Sequence, residues 1–583
     1  MRNLLVLAPV GLAILAGCSS SRSNTPLAPL PPDPPKPGTG DGSAGAAETK
    51  RDGGRLIITQ GGAPAGAEAF EIRQRGDELV IETHAEMTVM GQQLRGRGQV
   101  ITDMSYRPLR GESSHDVDGV KVEATLSGGP DALQLAIRAG GQPARAEKAA
   151  GAVDVYADNT SFAQLAPLCA RGGDGGTALV MFPGTKLTIG PARSHDRARV
   201  LPVDIGGSLT IDVFCDGDRL LGLDIPLAGL TATREGADEA VAALRRKPRT
   251  KPELPAGLVE LDRTVEVKAK GVEPATLACS LLVPASHAEV KARAKKGPTA
   301  ALPAVAFITG SGSQDRDEDS YGPGGLKLAI FKVMAIELGK AGIASLRCDD
   351  RGSGKSTGSF EKAVLETFTA DTAATVAALR AEPAIDPARV GLIGHSEGGI
   401  VAPLVASRDP KVRALVLMAG TGRPLDVILL EQLRRGLERS GRPADEVEQE
   451  MARSTAILAA IAAGKPLPDD IDEREKKQWE DSRAWMASHI KHDPAKIAAK
   501  LSKVSVLIAQ GDTDRQVAVA DADALAAAFA KARNKQAQKK IYAGLNHLFA
   551  RSTTGDISEY ADPDARVDEG FLTDVVGFLR RSL

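Results

Sequence analysis

The chain has 583 residues, with 73 Lys and Arg against 75 Asp and Glu, which gives a formal net charge of −2. A near-neutral chain lacks the basic surplus of nucleic-acid-binding proteins, so we expect no nucleic-acid partner. Hydrophobic residues make up 42% and charged residues 25%, a globular balance that excludes a largely disordered chain. Five cysteines are too few for a disulfide scaffold. At about 100–200 residues per domain, the length predicts two to four domains.

The first residues have the pattern of an export signal. Arg2 is followed by an apolar run of 13 residues, Leu4 to Ala16, which is too short to span a bilayer. The run ends in Leu-Ala-Gly-Cys at Cys18, a sequence that resembles the lipobox of bacterial lipoproteins. We therefore expect residues 1–17 to be a signal peptide and the Cys18 thiol to carry a lipid. An ordinary secretory signal with an incidental cysteine is the alternative.

A tether is expected between Cys18 and the first folded residues. Seven prolines fall in the twelve residues from Pro26 to Pro37, and residues 18–54 are rich in Pro and Gly throughout. This composition predicts an extended spacer. Ser19, and not Asp, follows Cys18, which by resemblance to lipoprotein sorting in Gram-negative bacteria favours the outer membrane, facing the periplasm. We expect the lipid at Cys18 to be the membrane contact of the protein.

Residues 55–235 are expected to form an all-β antiparallel domain. Short β-branched runs such as Glu78–Thr83 and Val120–Ala124 are separated by Gly-rich turns. The region weakly resembles periplasmic half-barrel domains, and it holds no catalytic constellation. Cys169 and Cys215 could form a disulfide in an oxidising compartment, but sequence alone leaves their pairing open. Residues 236–256 are basic and interrupted by prolines, which predicts a solvated linker.

From residue 257 onward the pattern changes to alternating strands and helices. Apolar strands are expected at Ala304–Thr309, Ile343–Cys348, Val390–Ile393, Val412–Met418 and Val504–Ala509, with helical segments between them. This alternation predicts a mostly parallel sheet with helices on both faces for residues 257–583. It stops between about residues 424 and 501, where a charged helical segment with the two tryptophans predicts a cap inserted after a strand.

The pattern G-x-S-x-G, typical of a nucleophilic serine, occurs around Ser356 and around Ser396. A nucleophile elbow needs a strand ending at the first glycine and a helix starting after the serine. The strand Val390–Ile393 ends at Gly394, and a helical run follows from Gly399, whereas Ser356 lies in a polar loop. We therefore expect Ser396 to be the nucleophile and Ser356 a turn residue.

A serine hydroxyl needs a base, and in this strand–helix fold the acid and then the histidine follow the serine. His489 and His492 lie in the expected cap, which leaves His547 as the base. For the orienting acid, Asp512 and Asp514 compete in the loop after the strand ending at Ala509. We prefer Asp514, with Asp512 holding the turn. The acid would fix the tautomer of His547 and stabilise its imidazolium form.

An oxyanion hole needs two N–H donors. We expect one from the backbone of Glu397, directly after the serine, and one from the glycine-rich loop Thr309–Glu318, with Ser311 as the best single candidate. That loop carries an acidic run, Asp315 to Asp319, and Asp349 and Asp350 follow the next strand. These acids could hold a metal or a substrate amino group. The simpler interpretation, which we prefer, is that they pair with Arg316 and Arg351 to brace the loops.

Together these motifs resemble the α/β-hydrolase superfamily, in the branch of carboxylesterases and serine aminopeptidase-like proteins. The resemblance covers about Leu258 to Leu583 and rests on T-G-S-G-S-Q-D-R-D-E from Thr309, D-D-R-G-S-G-K-S from Asp349, G-H-S-E-G-G from Gly394, G-D-T-D-R-Q-V from Gly511 and L-N-H-L-F from Leu545. It implies a triad of Ser396, Asp514 and His547, no metal or organic cofactor, and hydrolysis of short acyl esters. Several similar proteins carry an N-terminal β domain.

The leading hypothesis is a lipid-anchored serine esterase that acts on a small-molecule ester through an acyl-enzyme intermediate. An aminopeptidase acting on small peptides with the same machinery is the first alternative, and it would need a carboxylate in the cap to bind the substrate's free amino group. A non-catalytic envelope binding protein, whose β domain would bind lipid or glycan, is the second. The intact order of serine, acid and histidine argues against the binding protein.

Overall fold

The computed structural model describes residues 48–89, 91–140, 145–149, 151–157, 160–173, 175–247, 249–287, 301–320, 327–439, 442–469, 471 and 473–583. The expected signal peptide, Cys18 and the tether as far as residue 47 lie outside the described residues. Within the described part of the chain, no helix combines the length and the apolar character needed to cross a bilayer.

The N-terminal domain is one antiparallel sheet of 15 strands in the order β8-β7-β6-β5-β4-β3-β2-β1-β15-β14-β13-β12-β10-β9, with β11 paired to β12. The expected all-β antiparallel domain is therefore confirmed. The strands are β1 (Glu48–Gln60), β2 (Ala63–Arg75), β3 (Glu78–Val89), β4 (Gln92–Asp103), β5 (Pro108–Val117), β6 (Val120–Ser127), β7 (Gln134–Ala139), β8 (Arg145–Lys148), β9 (Ala178–Met181), β10 (Thr185–Ile189), β11 (Arg193–His195), β12 (Ala198–Ile205), β13 (Leu209–Asp216), β14 (Arg219–Ile225) and β15 (Leu230–Arg234).

Strand β1 starts earlier than the sequence indicated. It begins at Glu48, which pairs with Arg75 of β2, so residues 48–54 belong to the sheet and not to the tether. Asp52 lies in this segment and forms an ion pair with the buried Arg234, with 2.8 Å between Oδ1 and Nη2. The segment is polar and glycine-rich, so its strand depends on main-chain pairing and this ion pair and carries no apolar alternation that could be read in the sequence.

A short helical segment packs against the β sheet. It consists of a 3₁₀ turn, Ala163–Leu165, and helix α1 (Pro167–Arg171), whose apolar side chains join the sheet's main core. Glu68, fully buried on β2, accepts the backbone N–H groups of Phe162 and Ala163 and so caps the start of this segment. A disulfide joins Cys169 of α1 to Cys215 of β13, which answers the pairing question that the sequence left open.

The segment between the domains packs against the β domain, which contradicts the expectation of a solvated linker. Helix α2 (Asp238–Leu244) packs against the β sheet through Val241 and Leu244. The guanidinium of Arg245 binds both carboxylate oxygens of Asp224, at 2.7 and 2.9 Å. The basic residues of this segment therefore neutralise buried acids, a role that depends on partners far away in the sequence.

The C-terminal domain is built on an eight-stranded sheet in the order β16-β17-β19-β18-β20-β21-β22-β23, antiparallel at β16 and β17 and parallel elsewhere. The strands are β16 (Leu258–Val267), β17 (Ala275–Pro284), β18 (Leu302–Ile308), β19 (Ala344–Cys348), β20 (Ile385–His395), β21 (Ala414–Met418), β22 (Ser505–Gly511) and β23 (Ala537–Tyr542). A disulfide joins Cys279 and Cys348, which lie opposite each other on β17 and β19.

Helices cover both faces of this sheet. They are α3 (Ile330–Lys340), α4 (Leu365–Ala381), α5 (Gly398–Arg408), α10 (Val519–Lys531) and α11 (Glu569–Ser582), and two separate apolar cores lie on the two faces. Between β21 and β22 the chain forms α6 (Leu425–Arg439), α7 (Ala444–Ala462), α8 (Glu473–Ile490) and α9 (Pro494–Ala498), part of which packs around a smaller core with Trp485. The expected mostly parallel sheet with helices on both faces is therefore confirmed.

The two domains meet through the chain segment that follows β23. Thr210 of β13 donates a hydrogen bond to the carbonyl of Ser558 at 3.2 Å, and the Ser558 N–H donates to the carbonyl of Gly207 at 3.3 Å. In the same C-terminal segment, the hydroxyl of Tyr560 accepts a hydrogen bond from the side chain of Gln516 at 2.9 Å. The β domain therefore supports a segment that contacts the loop after β22.

Candidate active site

Ser396 lies in a tight turn between the end of β20 and the start of α5, at the carboxyl edge of the sheet. Its φ of +53° is a left-handed conformation that a non-glycine residue rarely adopts, and its N–H donates to the carbonyl of Met418 at 2.9 Å. A Cβ on Gly394 would lie 2.1 Å from the Gly398 carbonyl oxygen, so this turn requires glycine at the first position. The geometry is that of a nucleophile elbow.

Ser356, the other serine in a G-x-S-x-G pattern, has a structural environment. Its Oγ donates to the carbonyl of Asp349 at 2.8 Å and accepts the N–H of Ala278 at 2.9 Å. Both hydrogen bonds tie its loop to the neighbouring strands, so the hydroxyl is engaged by main-chain groups. Of these two serines, only Ser396 lies between a strand and a helix, which is the context that distinguished them in the sequence.

Asp514 and His547 are in direct contact. His547 Nδ1 lies 2.8 Å from Asp514 Oδ2, and the side chains are almost fully buried. Asp514 also accepts the backbone N–H groups of Gln516 and Val517 on Oδ1, at 2.8 and 3.0 Å, and the amide of Gln510 on Oδ2 at 2.9 Å. These donors fix the carboxylate in the orientation in which it holds the imidazole.

Asp512, the competing acid, is exposed and has a different task. Its Oδ1 accepts the N–H of Gly544 at 2.7 Å, which holds the loop that leads to His547. Sequence reasoning gave no role to Asn546, which lies in the same loop as His547. Asn546 is buried, and its side-chain oxygen accepts the N–H groups of Leu548 and Ala550 at 3.0 and 3.2 Å. In the sequence, the position of Asn546 directly before His547 was the signal that could have identified it.

The loop after β18 lies against the elbow. A Cβ on Gly310 would come within 3.2 Å of the Ser396 Cβ, so the backbone of this loop can approach the serine only without a side chain there. Ser311 lines the same cleft as Ser396 and Glu397. The two candidate oxyanion-hole residues therefore reach Ser396 from different parts of the chain: Ser311 comes from the loop after β18 and Glu397 from the turn before α5. The Gly310 N–H itself donates to Glu318 Oε1 at 3.1 Å.

Two histidine–glutamate contacts flank Ser396, and sequence reasoning assigned neither. On one side, His395 Nδ1 lies 2.7 Å from Glu318 Oε1. On the other, Glu397 accepts the indole N–H of Trp485 at 2.9 Å, and His489 Nε2 approaches its Oε1 to 2.7 Å at an angle outside hydrogen-bond geometry. The residues before and after Ser396 are thus tied to the loop after β18, which is the candidate oxyanion loop, and to cap helix α8.

The acidic run after β18 is neutralised by basic side chains. Lys251 Nζ lies 2.6, 2.8 and 3.2 Å from carboxylate oxygens of Asp315, Asp317 and Asp319. Burial alone would lower the pKa of Lys251, but Asp315 and Asp317 bind its ammonium group and raise the pKa overall. Within the described residues, no group of three or more His, Cys, Asp and Glu side chains could hold a metal ion.

Two arginines brace the neighbouring loops, as the simpler interpretation of the acidic run expected, although one partner differs. Arg316 binds Asp349 through two nitrogens, both at 2.9 Å. The fully buried Arg351 binds Asp371 of α4, which lies outside the acids considered in the sequence. Both pairs are bidentate and therefore hold the loops around β19 in a fixed orientation.

A cleft opens beside Ser396. One wall is apolar and comes from α5 and the cap, with Ile400, Leu425, Ile428, Leu429 and Trp485. The polar residues of the cleft include Ser311, Glu397, His489 and Gln516. An apolar wall next to a serine is suited to the acyl or alcohol part of an uncharged substrate.

Comparison with known proteins gives a family match within the C-terminal domain. The sequence model described as "Alpha/beta hydrolase family" matches residues 323–556. No curated protein sequence matches the chain. Among solved structures, the esterase Est1E from Butyrivibrio proteoclasticus, solved with ferulic acid, is 18% identical with a TM-score of 0.33, over 54% of this chain and 98% of its own. The Pyrococcus furiosus esterase Pf2001 is 14% identical with a TM-score of 0.33, over 58% of this chain and 97% of its own.

The C-terminal domain therefore has the α/β-hydrolase fold, preceded by an antiparallel β domain of 15 strands. The elbow serine and the Asp514–His547 pair lie at the carboxyl edge of the parallel strands, which is where open α/β sheets carry their ligand sites.

Proposed function

We propose that the chain is a serine hydrolase that cleaves carboxylic esters of small molecules with short acyl groups. Ser396 attacks the ester carbonyl while His547 takes its proton, and His547 then returns that proton to the leaving alcohol. Asp514 holds the imidazole and stabilises its charged form. Water, activated by the same histidine, releases the acid from the acyl-enzyme and restores the serine. The backbone N–H of Glu397 and a donor at Ser311 stabilise the oxyanion.

The observation that carries the proposal is the convergence of three chain segments at one edge of the sheet. Ser396 adopts a left-handed conformation at the elbow, and the buried Asp514–His547 pair belongs to the loops after β22 and β23. The ring of His395, directly before Ser396, lies 4.6 Å from the ring of His547, centroid to centroid, which brings the base loop to the elbow.

The aminopeptidase alternative is less well supported by the cleft. A free amino group would need a carboxylate facing the serine, and among the described residues that line the cleft only Glu397 is acidic. Glu397 already accepts the Trp485 indole N–H and contacts His489. An incoming ammonium group would have to displace these partners, so an uncharged ester is the better substrate for this cleft.

The proposal includes a lipid anchor at Cys18 that holds the enzyme on the periplasmic side of the outer membrane. It rests on the lipobox-like sequence and the proline-rich tether. A non-catalytic binding protein remains the contrasting hypothesis for the β domain, and it predicts an inert hydrolase domain.

A substrate panel tests the reaction type. We expect p-nitrophenyl acetate and butyrate to be hydrolysed, with much weaker activity on the long-chain palmitate ester and on aminoacyl-p-nitroanilides. The Ser396→Ala variant should lose activity by a factor on the order of 10³ or more, and Ser356→Ala is the matched control that should keep its activity. Preferred hydrolysis of the aminoacyl anilides would overturn the esterase assignment in favour of the peptidase.

A further inference from the structure

His395 and Glu318 form a buried pair next to the nucleophile that has no part in the proposed proton transfers. The two residues are 3% and 4% exposed. His395 Nδ1 lies 2.7 Å from Glu318 Oε1, and its Nε2 lies 2.9 Å from the backbone carbonyl oxygen of His547. The ring thus lies between the oxyanion loop and the loop of the catalytic base.

The hydrogen-bond partners of the His395 ring indicate its charge. A neutral imidazole has one N–H and one lone pair, whereas both nitrogens of His395 face acceptors. The Glu318 oxygen that meets Nδ1 also accepts the N–H of Gly310 at 3.1 Å, which favours a carboxylate over an O–H group that would donate to Nδ1. With Glu318 ionised, both hydrogen bonds of the ring can form together only if His395 is an imidazolium.

The surroundings favour this charge state. Burial alone would lower the pKa of His395, but the Glu318 carboxylate, the His547 carbonyl and the charge of Asp514 outweigh burial and raise the pKa. The titratable groups that face the ring are Glu318 from the loop after β18, the His547 side chain from the loop after β23, and Asp514 from the loop after β22.

We propose that protonated His395, held by Glu318, is a positioning residue for the hydrolase reaction: it fixes the backbone of His547 and, through Glu318, the Gly310 turn of the oxyanion loop. This inference rests on the proposed function. One charged pair beneath the elbow thereby sets the distance between the base and the oxyanion donors. If the ring loses its second proton, one of its two hydrogen bonds is lost and the two loops are no longer held together.

The proposal predicts a specific pH dependence. The His395–Glu318 contact is complete below the raised pKa of His395 and is lost as the pH rises through it, so kcat/KM should fall on the alkaline side. Removing the carboxylate with Glu318→Gln lowers the pKa of His395. The alkaline limb of the profile should then move to lower pH, and kcat at about pH 8 should fall roughly 10- to 100-fold, as expected for a small misplacement of catalytic groups.

Kinetics on the full chain test the positioning role. The pH profiles of kcat and kcat/KM are compared for the wild type, Glu318→Gln, His395→Gln and the control Glu382→Gln. Glu382 is a partly buried carboxylate that binds Arg263 through two nitrogens just before β20, at the opposite edge of the sheet. His395→Gln keeps a side-chain N–H donor that does not titrate, so its alkaline limb should disappear. An alkaline limb unchanged in Glu318→Gln and His395→Gln would overturn the proposal.

A spectroscopic measurement gives a result that does not depend on catalysis. In protein labelled with ¹⁵N-histidine and titrated with pH, one ring should keep protons on both nitrogens to a higher pH than an ordinary histidine, and this signal should be absent from His395→Gln. A neutral His395 ring in the folded wild type would overturn the inference even if Glu318→Gln does not fold. An imidazolium signal together with no ester hydrolysis would instead overturn the proposed function and leave the charged pair standing.

Discussion

His547 Nδ1 lies 2.8 Å from Asp514 Oδ2, while Asp512, two residues earlier in the chain, binds the N–H of Gly544 and faces solvent. Two aspartates in one loop thus have separate tasks: Asp514 orients His547, and Asp512 holds the loop that leads to it. This separation gives the first prediction.

We expect Asp514→Asn to lower kcat by a factor on the order of 10⁴, because an amide at this position favours the wrong tautomer of His547. Asp512→Asn is the matched control and should cost less than about tenfold, since the Asn side-chain oxygen can still accept the Gly544 N–H. Steady-state kinetics on p-nitrophenyl acetate measure both. Equal losses in the two variants would contradict the assignment of the acid.

The start of β1 gives a prediction about truncation. A chain that begins at residue 48 should fold and keep wild-type kinetics, whereas a chain that begins at residue 55 should be less stable. The longer deletion removes Asp52 and leaves the buried Arg234 without that partner, which costs about 3–5 kcal/mol when a buried pair is broken. Urea unfolding of both chains measures the difference. Equal midpoints would show that residues 48–54 contribute nothing to the fold.

The lipid anchor is tested by Cys18→Ser in the full-length protein. Without the thiol there is no acylation site, so the protein should leave the membrane fraction while its kinetics on a water-soluble ester stay unchanged. Fractionation followed by a turnover assay measures both properties. Persistent membrane association of the variant would indicate a lipid-binding surface on the β domain and would revive the binding-protein hypothesis.

The Arg316–Asp349 pair gives a pH dependence of stability. Burial alone would raise the pKa of Asp349, but the Arg316 guanidinium lowers it overall. A carboxyl with a depressed pKa in the folded state stabilises the protein above its unfolded pKa of about 3.9, and this contribution is lost as the pH falls through the folded pKa. Asp349→Asn should therefore lower Tm most at neutral pH. Its Tm deficit should shrink toward pH 3, and a deficit that does not change with pH would contradict the ion pair.

The disulfide between Cys169 and Cys215 closes a loop with a sequence separation of 46 residues. Replacing both cysteines with serine should lower the free energy of unfolding by about 2–4 kcal/mol, since the cross-link restricts the unfolded chain. Denaturant unfolding under oxidising conditions measures this change. The same double variant should keep its esterase kinetics, because the disulfide lies within the β domain, and a selective loss of kcat would contradict that separation.

Local context was enough to find much of the candidate site. The strand before Gly394 and the helical run after Gly399 distinguished Ser396 from Ser356. The chain order of serine, acid and histidine indicated His547, and the spacing G-x-x-D-x-x-V favoured Asp514 over Asp512. The structure brings Asp514 and His547 into contact. Each of these inferences depends on a few neighbouring residues and on the order of elements in a parallel sheet.

Contacts between distant segments could not be found in this way. Glu318 and His395 are 77 residues apart, and Lys251 meets its carboxylates 64 or more residues away. Cys279 and Cys348 lie opposite each other only because β17 pairs with β19, a neighbour relationship that no local pattern reveals. The early start of β1 was missed because its polar residues are held by main-chain pairing with β2.

The central claim is that Ser396 is the nucleophile of an ester hydrolase. Labelling of the full-length protein with a fluorophosphonate probe, followed by peptide mass spectrometry, tests it most directly. We expect one modified serine, Ser396, with labelling lost in Ser396→Ala, kept in Ser356→Ala and strongly slowed in His547→Ala. Modification at a serine other than Ser396, or unchanged labelling and ester hydrolysis in Ser396→Ala, would contradict the account.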